Sequence, residues 1–180
     1  MPTLINQQVT LSFGRLEIAC RSGTPLTLED APEIFPATAA SFEHVPDPIQ
    51  MAHEICDTLR EGCGLQGSHE HLFLLLYFNL VIEGLKSGAP LHSALLPLPK
   101  TRFTMTSQHK SITVDFGFWT GQRFIAVFIH ESSIDQHRRA EEALLKVWGF
   151  DVFCLKADEF ETRGLMGETG MKILEAVHLH

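Results

Sequence analysis

The fold class is indicated most clearly by one stretch, which reads SITVDFGF from Ser111 to Phe118. Its large apolar side chains occupy every second position, as expected of a strand with one buried face. These positions are Ile112, Val114, Phe116 and Phe118. The alternation predicts a strand over Ile112–Phe118 and places Asp115 on the opposite face, lifted out of the core.

The next apolar segment is continuous. Residues Phe124–Ile129 read FIAVFI, which is typical of a central strand covered on both faces. The polar pair His130 and Glu131 follows at its carboxyl end. Only a few residues around Thr120-Gly121 separate this segment from the previous strand, so the two are predicted to pair antiparallel through a turn.

A helix and a further strand complete the pattern. Ser133, three residues before Gln136, is a capping-box signal, and Gly149 is a natural helix stop. The predicted apolar stripe of this helix consists of Ala140, Ala143, Leu144, Val147 and Trp148. Residues Phe150–Leu155 then read as a strand. A strand, a crossover helix and a strand build a parallel or mixed sheet.

The sequence therefore predicts an α/β fold with a mixed central β-sheet flanked by helices. A largely apolar helix over Ser68–Leu85 is expected to pack on that sheet. We assign residues 66–180 to this core and residues 1–65 to an N-terminal extension. The extension contains two strand-like segments around Gly14, a proline-rich segment, and a helix that begins at Asp47-Pro48.

Several short motifs carry a resemblance to a known family. They are Val114-Asp115-Phe116, Asp135-x-x-Arg138-Arg139, Trp148-Gly149-Phe150-Asp151-Val152, and Ser68-His69-Glu70-His71-Leu72-Phe73. Over about residues 68–160 they resemble the PD-(D/E)XK restriction-endonuclease-like superfamily. The closest similarity is to the very-short-patch-repair endonucleases and their small uncharacterised relatives.

The resemblance implies a metal-dependent site. Asp115 and the backbone carbonyl of Ile129 would hold Mg²⁺ or Mn²⁺, His130 would be the general base, and Glu70 would hold a water on the metal or orient His130. The superfamily usually has a Glu where this chain has Phe128, which we expect to be a packed core residue. The repair endonucleases share an apolar strand that ends in a catalytic His.

Each candidate also has a simpler interpretation. Asp115 could pair with Arg102 or Arg123, and an acid such as Glu70 is favoured in a first helical turn by the helix dipole. His130 could be a structural histidine. Glu131 could replace the missing strand carboxylate only if a bulge turned it inward.

Metal ligation by other side chains is less favoured by their spacing. A zinc site among His69, His71, His109 and His137 is less expected than solvated side chains, since residues two apart on a helix diverge. Cys56 reads as a small buried thiol. Arg138 and Arg139 read as surface charges, although the resemblance places a matching arginine near the edge of the active site.

Composition limits the partners and the compartment. The chain has 180 residues and a formal charge of −8, so any DNA contact must be local or helped by another protein. Its four cysteines form no CxxC pair and the start lacks a signal peptide, which predicts reduced thiols and a cytoplasmic location. The longest apolar run, Leu72–Ile82, is too short for a membrane span.

Two functions remain open from the sequence. The first is a metal-dependent nuclease that hydrolyses DNA phosphodiester bonds. The second is a catalytically inactive protein of the same fold that acts as a binding or assembly module, alone, as a homodimer or with a protein partner. A fold hosts many functions, so the side chains at the site have to separate the two.

Overall fold

The structure, a computed structural model, describes residues 9–35, 47–62, 64, 68–131 and 135–177. The strands in these ranges are β1 (Val9–Phe13), β2 (Leu16–Ile18), β3 (Leu98–Pro99), β4 (Arg102–Met105), β5 (Lys110–Thr113), β6 (Phe116–Trp119), β7 (Phe124–His130) and β8 (Asp151–Lys156). The helices are α1 (Ala31–Ile34), α2 (Pro48–Gly62), α3 (His69–Lys86), α4 (Gln136–Val147), α5 (Ala157–Arg163) and α6 (Glu168–Val177).

These strands form two four-stranded sheets. One is antiparallel with the order β2-β1-β4-β5, and the other is mixed with the order β3-β6-β7-β8. In the mixed sheet β6 and β7 are antiparallel, whereas β7 and β8 are parallel and joined by α4. The predicted α/β class and mixed sheet are confirmed, as is the antiparallel pairing on either side of Thr120-Gly121.

The predicted single strand over Ile112–Phe118 is wrong. The segment divides into β5 and β6, which belong to different sheets. Pairing with the preceding chain continues through the division, because the N–H of Lys100 donates to Asp115 O and that of Val114 to Thr101 O. Lys100 has a left-handed φ of 51°. The whole segment from Leu98 to Trp119 is thus one bent hairpin, and Asp115 lies at its bend.

The N-terminal strands belong to the antiparallel sheet. β1 lies between β2 and β4, with Leu11 opposite Phe103. The strands on either side of the predicted boundary at residue 65 thus share one sheet, and residue 65 itself is outside the described residues. Helix α2 begins as predicted, with the Asp47 carboxylate accepting a hydrogen bond from the Ile49 N–H.

Helix α3 packs on the mixed sheet, as its apolar sequence predicts. Its first turn is capped by Ser68, whose hydroxyl accepts a hydrogen bond from the His71 N–H. The Phe73 ring lies 4.4 Å from that of Phe116, and the Tyr77 ring 5.7 Å from that of Phe118. Among the helices of the described ranges, none combines the length and hydrophobicity needed to cross a membrane.

Helix α4 differs from its prediction in both its start and its inward face. Asp135 caps it by accepting the His137 N–H, and the predicted cap Ser133 lies outside the described residues. Val147 of the predicted stripe is 78% exposed. The least exposed positions of the helix and its cap are Arg138, Glu141, Glu142, Leu144, Leu145 and Trp148. Charged side chains of the helix therefore face the protein.

Besides the two-residue strand β3, two elements were not predicted. β4 contains Arg102 and Thr104 beside Phe103 and Met105, and this short alternation is a weak strand signal. Helix α5 follows β8 directly and has seven residues. Both are short, and each is held by neighbours: β4 pairs with β1 and β5, and Phe160 of α5 packs near Phe73.

Candidate functional site

Asp115 is buried at the bend of the hairpin. It is 3% exposed, and its Oδ2 accepts a hydrogen bond of 2.7 Å from the Ile129 N–H. The backbone pairing of β6 with β7 ends at Phe116 and Val127, so the carboxylate supplies the acceptor that Ile129 would otherwise lack. The prediction that Asp115 is lifted out of the core is wrong, because α4 covers this face of the sheet.

Two cations reach the Asp115 carboxylate. Arg138 Nη1 donates to Oδ2 at 3.0 Å, and Lys100 Nζ lies 3.8 Å from Oδ1. The Arg138 guanidinium also lies over the Phe128 ring, with its carbon 5.3 Å from the centroid. Burial alone would lower the pKa of Arg138, but the hydrogen bond and charge of Asp115 raise it above its usual value. Arg138 is therefore not the free surface charge that its sequence context suggests.

Glu70 joins the same group of charges through Lys100. Lys100 Nζ donates to Glu70 Oε1 at 2.6 Å, so one ammonium group lies between two carboxylates from different elements. Desolvation would raise the pKa of Glu70, but hydrogen bonds from Lys100 and from the start of α3, with the charge of Lys100, lower it overall. We call Glu70, Lys100, Asp115 and Arg138 the charge cluster.

His130 takes part in a different arrangement. It is 5% exposed, its Nε2 lies 2.5 Å from Glu142 Oε1, and its ring is stacked on that of Phe128 at 5.9 Å. Cys154 on β8 lies beside this pair, and one ligand atom from each of the three residues is within 4.8 Å of the other two. Burial, and then the neighbouring Glu142, raise the pKa of the Cys154 thiol to about 12. We call His130, Glu142 and Cys154 the His130 cluster.

The predicted site residues are thus divided between two clusters. Glu70, Asp115 and the backbone of Ile129 meet at the bend, whereas the described hydrogen bond of the His130 side chain goes to Glu142. Phe128 is fully buried, as predicted. Glu131 is exposed at the end of β7 and does not replace a strand carboxylate.

The other histidines do not share a site in the described part of the chain. His69 pairs with Glu161 at 2.7 Å, and His137 pairs with Glu141 at 3.4 Å on its own helix. His109 is exposed in a turn with a left-handed φ of 48°. Of the two arginines predicted as alternative partners of Asp115, Arg123 lies instead 3.6 Å from Asp151, and Arg102 is exposed on β4.

Sequence reasoning missed Lys100, Glu142 and Cys154. For Glu142 a signal was present, since Arg138, Glu142 and Leu145 are spaced four and three residues apart and share one helical face. That face has fewer apolar side chains than the stripe that was predicted to face the core. Cys154 is brought to His130 by the parallel pairing of β7 with β8, in which Cys154 lies opposite Phe128.

No family model, curated protein or solved structure matches this chain. Membership of the PD-(D/E)XK superfamily therefore stays a prediction from the motifs.

Proposed function

We propose that this protein is a metal-dependent phosphodiesterase acting on DNA, with its catalytic site at the charge cluster. One observation carries the proposal: Lys100 Nζ lies 2.6 Å from a Glu70 oxygen and 3.8 Å from an Asp115 oxygen. Two carboxylates from separate elements thus converge on a single cation. Such a pair is an arrangement that a divalent ion can use after the ammonium group has moved away.

The donor set fits Mg²⁺ or Mn²⁺. Both ions prefer oxygen ligands, and Mg²⁺ is commonly held by one or two carboxylates together with substrate phosphates and water. The N–H and C=O of one strand residue project to the same side, so the Ile129 carbonyl faces the edge on which its N–H meets Asp115. A bound ion would polarise a phosphoryl oxygen and lower the pKa of a coordinated water.

The two cations of the cluster supply phosphate binding. The side chains of Lys100 and Arg138 are 50% and 35% exposed, so both can contact the phosphate groups of bound DNA. An ion between the carboxylates would release Lys100, and the Arg138 fork can pair with two phosphate oxygens. The protein has a net charge of −8, so its contact with DNA has to be local. The pair of cations Lys100 and Arg138 is a contact of this kind.

His130 takes no part in proton transfer at this site. Its imidazole is buried under α4 and bonded to Glu142, so a water attacking phosphorus at the charge cluster would not reach it directly. The general-base role that the family resemblance implies for His130 is thus not needed for metal and phosphate binding at Glu70 and Asp115.

The test is metal binding followed by cleavage. We expect calorimetry of the full chain to show saturable binding of Mn²⁺ or Mg²⁺. The same ion should raise the melting temperature by an amount that follows from its dissociation constant. Asp115→Asn and Glu70→Gln should each weaken binding and abolish metal-dependent cleavage of duplex or single-stranded DNA. Glu83→Gln is the matched control, because Glu83 lies on α3 but pairs with Lys86 on the surface.

A wild-type protein whose melting and calorimetry are indifferent to both metals would overturn the proposal. So would cleavage that survives in Asp115→Asn, since the reaction would then belong to another site or to a contaminant. Glu83→Gln should behave as the wild type in every assay.

The second candidate is a catalytically inactive binding or assembly module. It is favoured by the burial of Asp115, whose two carboxylate oxygens already have Ile129, Arg138 and Lys100 as neighbours. In such a module the charge cluster would be a structural ion network. Metals would then leave melting unchanged, and the wild type would show no metal-dependent cleavage for Asp115→Asn to abolish.

A further inference from the structure

The His130 cluster combines donors from three successive elements. His130 is near the end of β7, Glu142 is in the middle of α4, and Cys154 is in β8. His130 Nε2 lies 2.5 Å from Glu142 Oε1, and one ligand atom from each of the three residues lies within 4.8 Å of the other two. The fold of the strand, helix and strand, and not closeness in sequence, brings them together.

Helix α4 turns charge inward to make this cluster. Glu142 faces the sheet while Val147 of the same helix is 78% exposed. Burying a carboxylate is costly unless it is paired, whereas burying valine is favourable. Glu142 meets this requirement through its pair with His130, so the sheet side of the helix holds a buried acid beside an imidazole.

The donor types select among metals. An imidazole nitrogen, a carboxylate oxygen and a thiolate sulfur suit Zn²⁺ and other borderline transition ions, whereas Mg²⁺ and Ca²⁺ prefer sites made of oxygen alone. With metal–ligand bonds of about 2.0–2.3 Å, tetrahedral ligands lie roughly 3.3–3.7 Å apart. The separations in the cluster, from 2.5 Å up to at most 4.8 Å, bracket this range.

We propose that His130, Glu142 and Cys154 form a Zn²⁺ site that fastens α4 to strands β7 and β8. Zn²⁺ forms bonds to the imidazole nitrogen, the carboxylate oxygen and the sulfur, and the Cys154 thiol gives its proton to the solvent as the Zn–S bond forms. Three protein ligands leave one tetrahedral position for water. The site shares no ligand with the charge cluster, and Phe128 contacts both His130 and Arg138.

Co²⁺ is the spectroscopic probe for the site, because a thiolate bound to Co²⁺ gives a charge-transfer band in the near ultraviolet. Full-length protein freed of metals with a chelator should develop this band with one equivalent of Co²⁺ and lose it when Zn²⁺ is added. Excess Mg²⁺ should leave it unchanged. Cys154→Ser should abolish the band, whereas Cys20→Ser, another partly buried free cysteine, should keep it.

The affinity for Zn²⁺ gives the second readout. Outer-shell changes around metal sites weaken binding about 10–100-fold, so loss of a ligand in Cys154→Ser or Glu142→Gln should weaken it at least about 100-fold. Zn²⁺ should also raise the melting temperature of the wild type and of Asp115→Asn, because Asp115 is not a ligand of this site. This keeps the outcome independent of the proposed nuclease activity.

Three results would overturn the proposal. The first is a wild type that shows neither the Co²⁺ band nor binding of one Zn²⁺. The second is undiminished Zn²⁺ binding by Cys154→Ser and Glu142→Gln. The third is equal loss of the band in Cys20→Ser. If Cys154→Ser fails to fold, the wild-type spectrum and the near-isosteric Glu142→Gln still decide.

Discussion

Arg138 Nη1 lies 3.0 Å from Asp115 Oδ2, and this ion pair ties helix α4 to the bend of the hairpin that connects the two sheets. The carboxylate is buried, and it also accepts the Ile129 N–H. Asp115 therefore fixes three parts of the molecule at once: the bend, the end of β7 and the first turn of α4. That is a structural role whether or not the residue also binds a metal.

The first prediction concerns this junction. Asp115→Asn should lower the free energy of unfolding by about 1.5–3 kcal/mol, because hydrogen bonds to a charged partner are lost or weakened. Urea denaturation in a chelating buffer measures the change. Asp151→Asn, which removes a pair with Arg123 on a more exposed side chain, should cost less than about 1 kcal/mol. Equal losses in both variants would contradict the role given to Asp115.

The second prediction concerns Phe128, which is fully buried under Arg138 and beside His130. Phe128→Ala should cost about 3–5 kcal/mol, because it removes a large core side chain and leaves a cavity. Val147→Ala on the exposed face of α4 is the control and should stay within about 0.5 kcal/mol. A loss below 1 kcal/mol for Phe128→Ala would show that this part of the core collapses to fill the space.

The third prediction compares two glycines. A Cβ on Gly117 would lie 2.7 Å from Thr101 Cγ2, so Gly117→Ala should destabilise the protein by about 1–3 kcal/mol through overpacking. In α3 a Cβ on Gly84 would meet only Ala89 Cβ at 3.8 Å. Gly84→Ala should therefore stabilise the protein by about 0.5–1 kcal/mol. Thermal denaturation should show a lower melting temperature for Gly117→Ala and a higher one for Gly84→Ala. A change in the same direction for both variants would refute the close contact at Gly117.

The fourth prediction concerns pH. The pKa of Glu70 is lowered in the folded protein, so its ionised form contributes stability above the unfolded pKa, and this contribution is lost as pH falls through the folded pKa. Lys100→Met should raise the Glu70 pKa and weaken this acid dependence. An NMR titration of the Glu70 carboxyl carbon without metal measures this pKa in the wild type and in Lys100→Met. Lys86→Met, which removes a surface pair with Glu83, should leave Glu70 unchanged.

Much of the mixed sheet is predictable from sequence because its signals are local. Phe124–Ile129 is a continuous apolar run, and the strand after Gly149 follows a marked helix stop. The division between β5 and β6 has no such signal in its own segment. It depends on Lys100 in the partner strand, whose left-handed conformation bends the hairpin.

The candidate site was predictable only in part for a similar reason. Asp115 and Glu70 were identified by their motifs, but the cation between them, Lys100, belongs to neither motif. The inward face of α4 was predicted by hydrophobicity, which favours Val147. The observed face is set by polar side chains of the sheet. One of these, His130, becomes a neighbour of Glu142 only in the folded chain.

The pairing of β1 with β4 limits where the chain can be shortened. β1 covers one edge of β4 along Val9–Ser12, and Leu11 lies opposite Phe103. A fragment starting at residue 66 would leave the backbone N–H and C=O groups of that edge without partners and uncover apolar core. Such an open edge is a template for pairing between molecules. Removal of the N-terminal strands should therefore produce a protein that aggregates, even though neither cluster of functional side chains lies in the deleted segment.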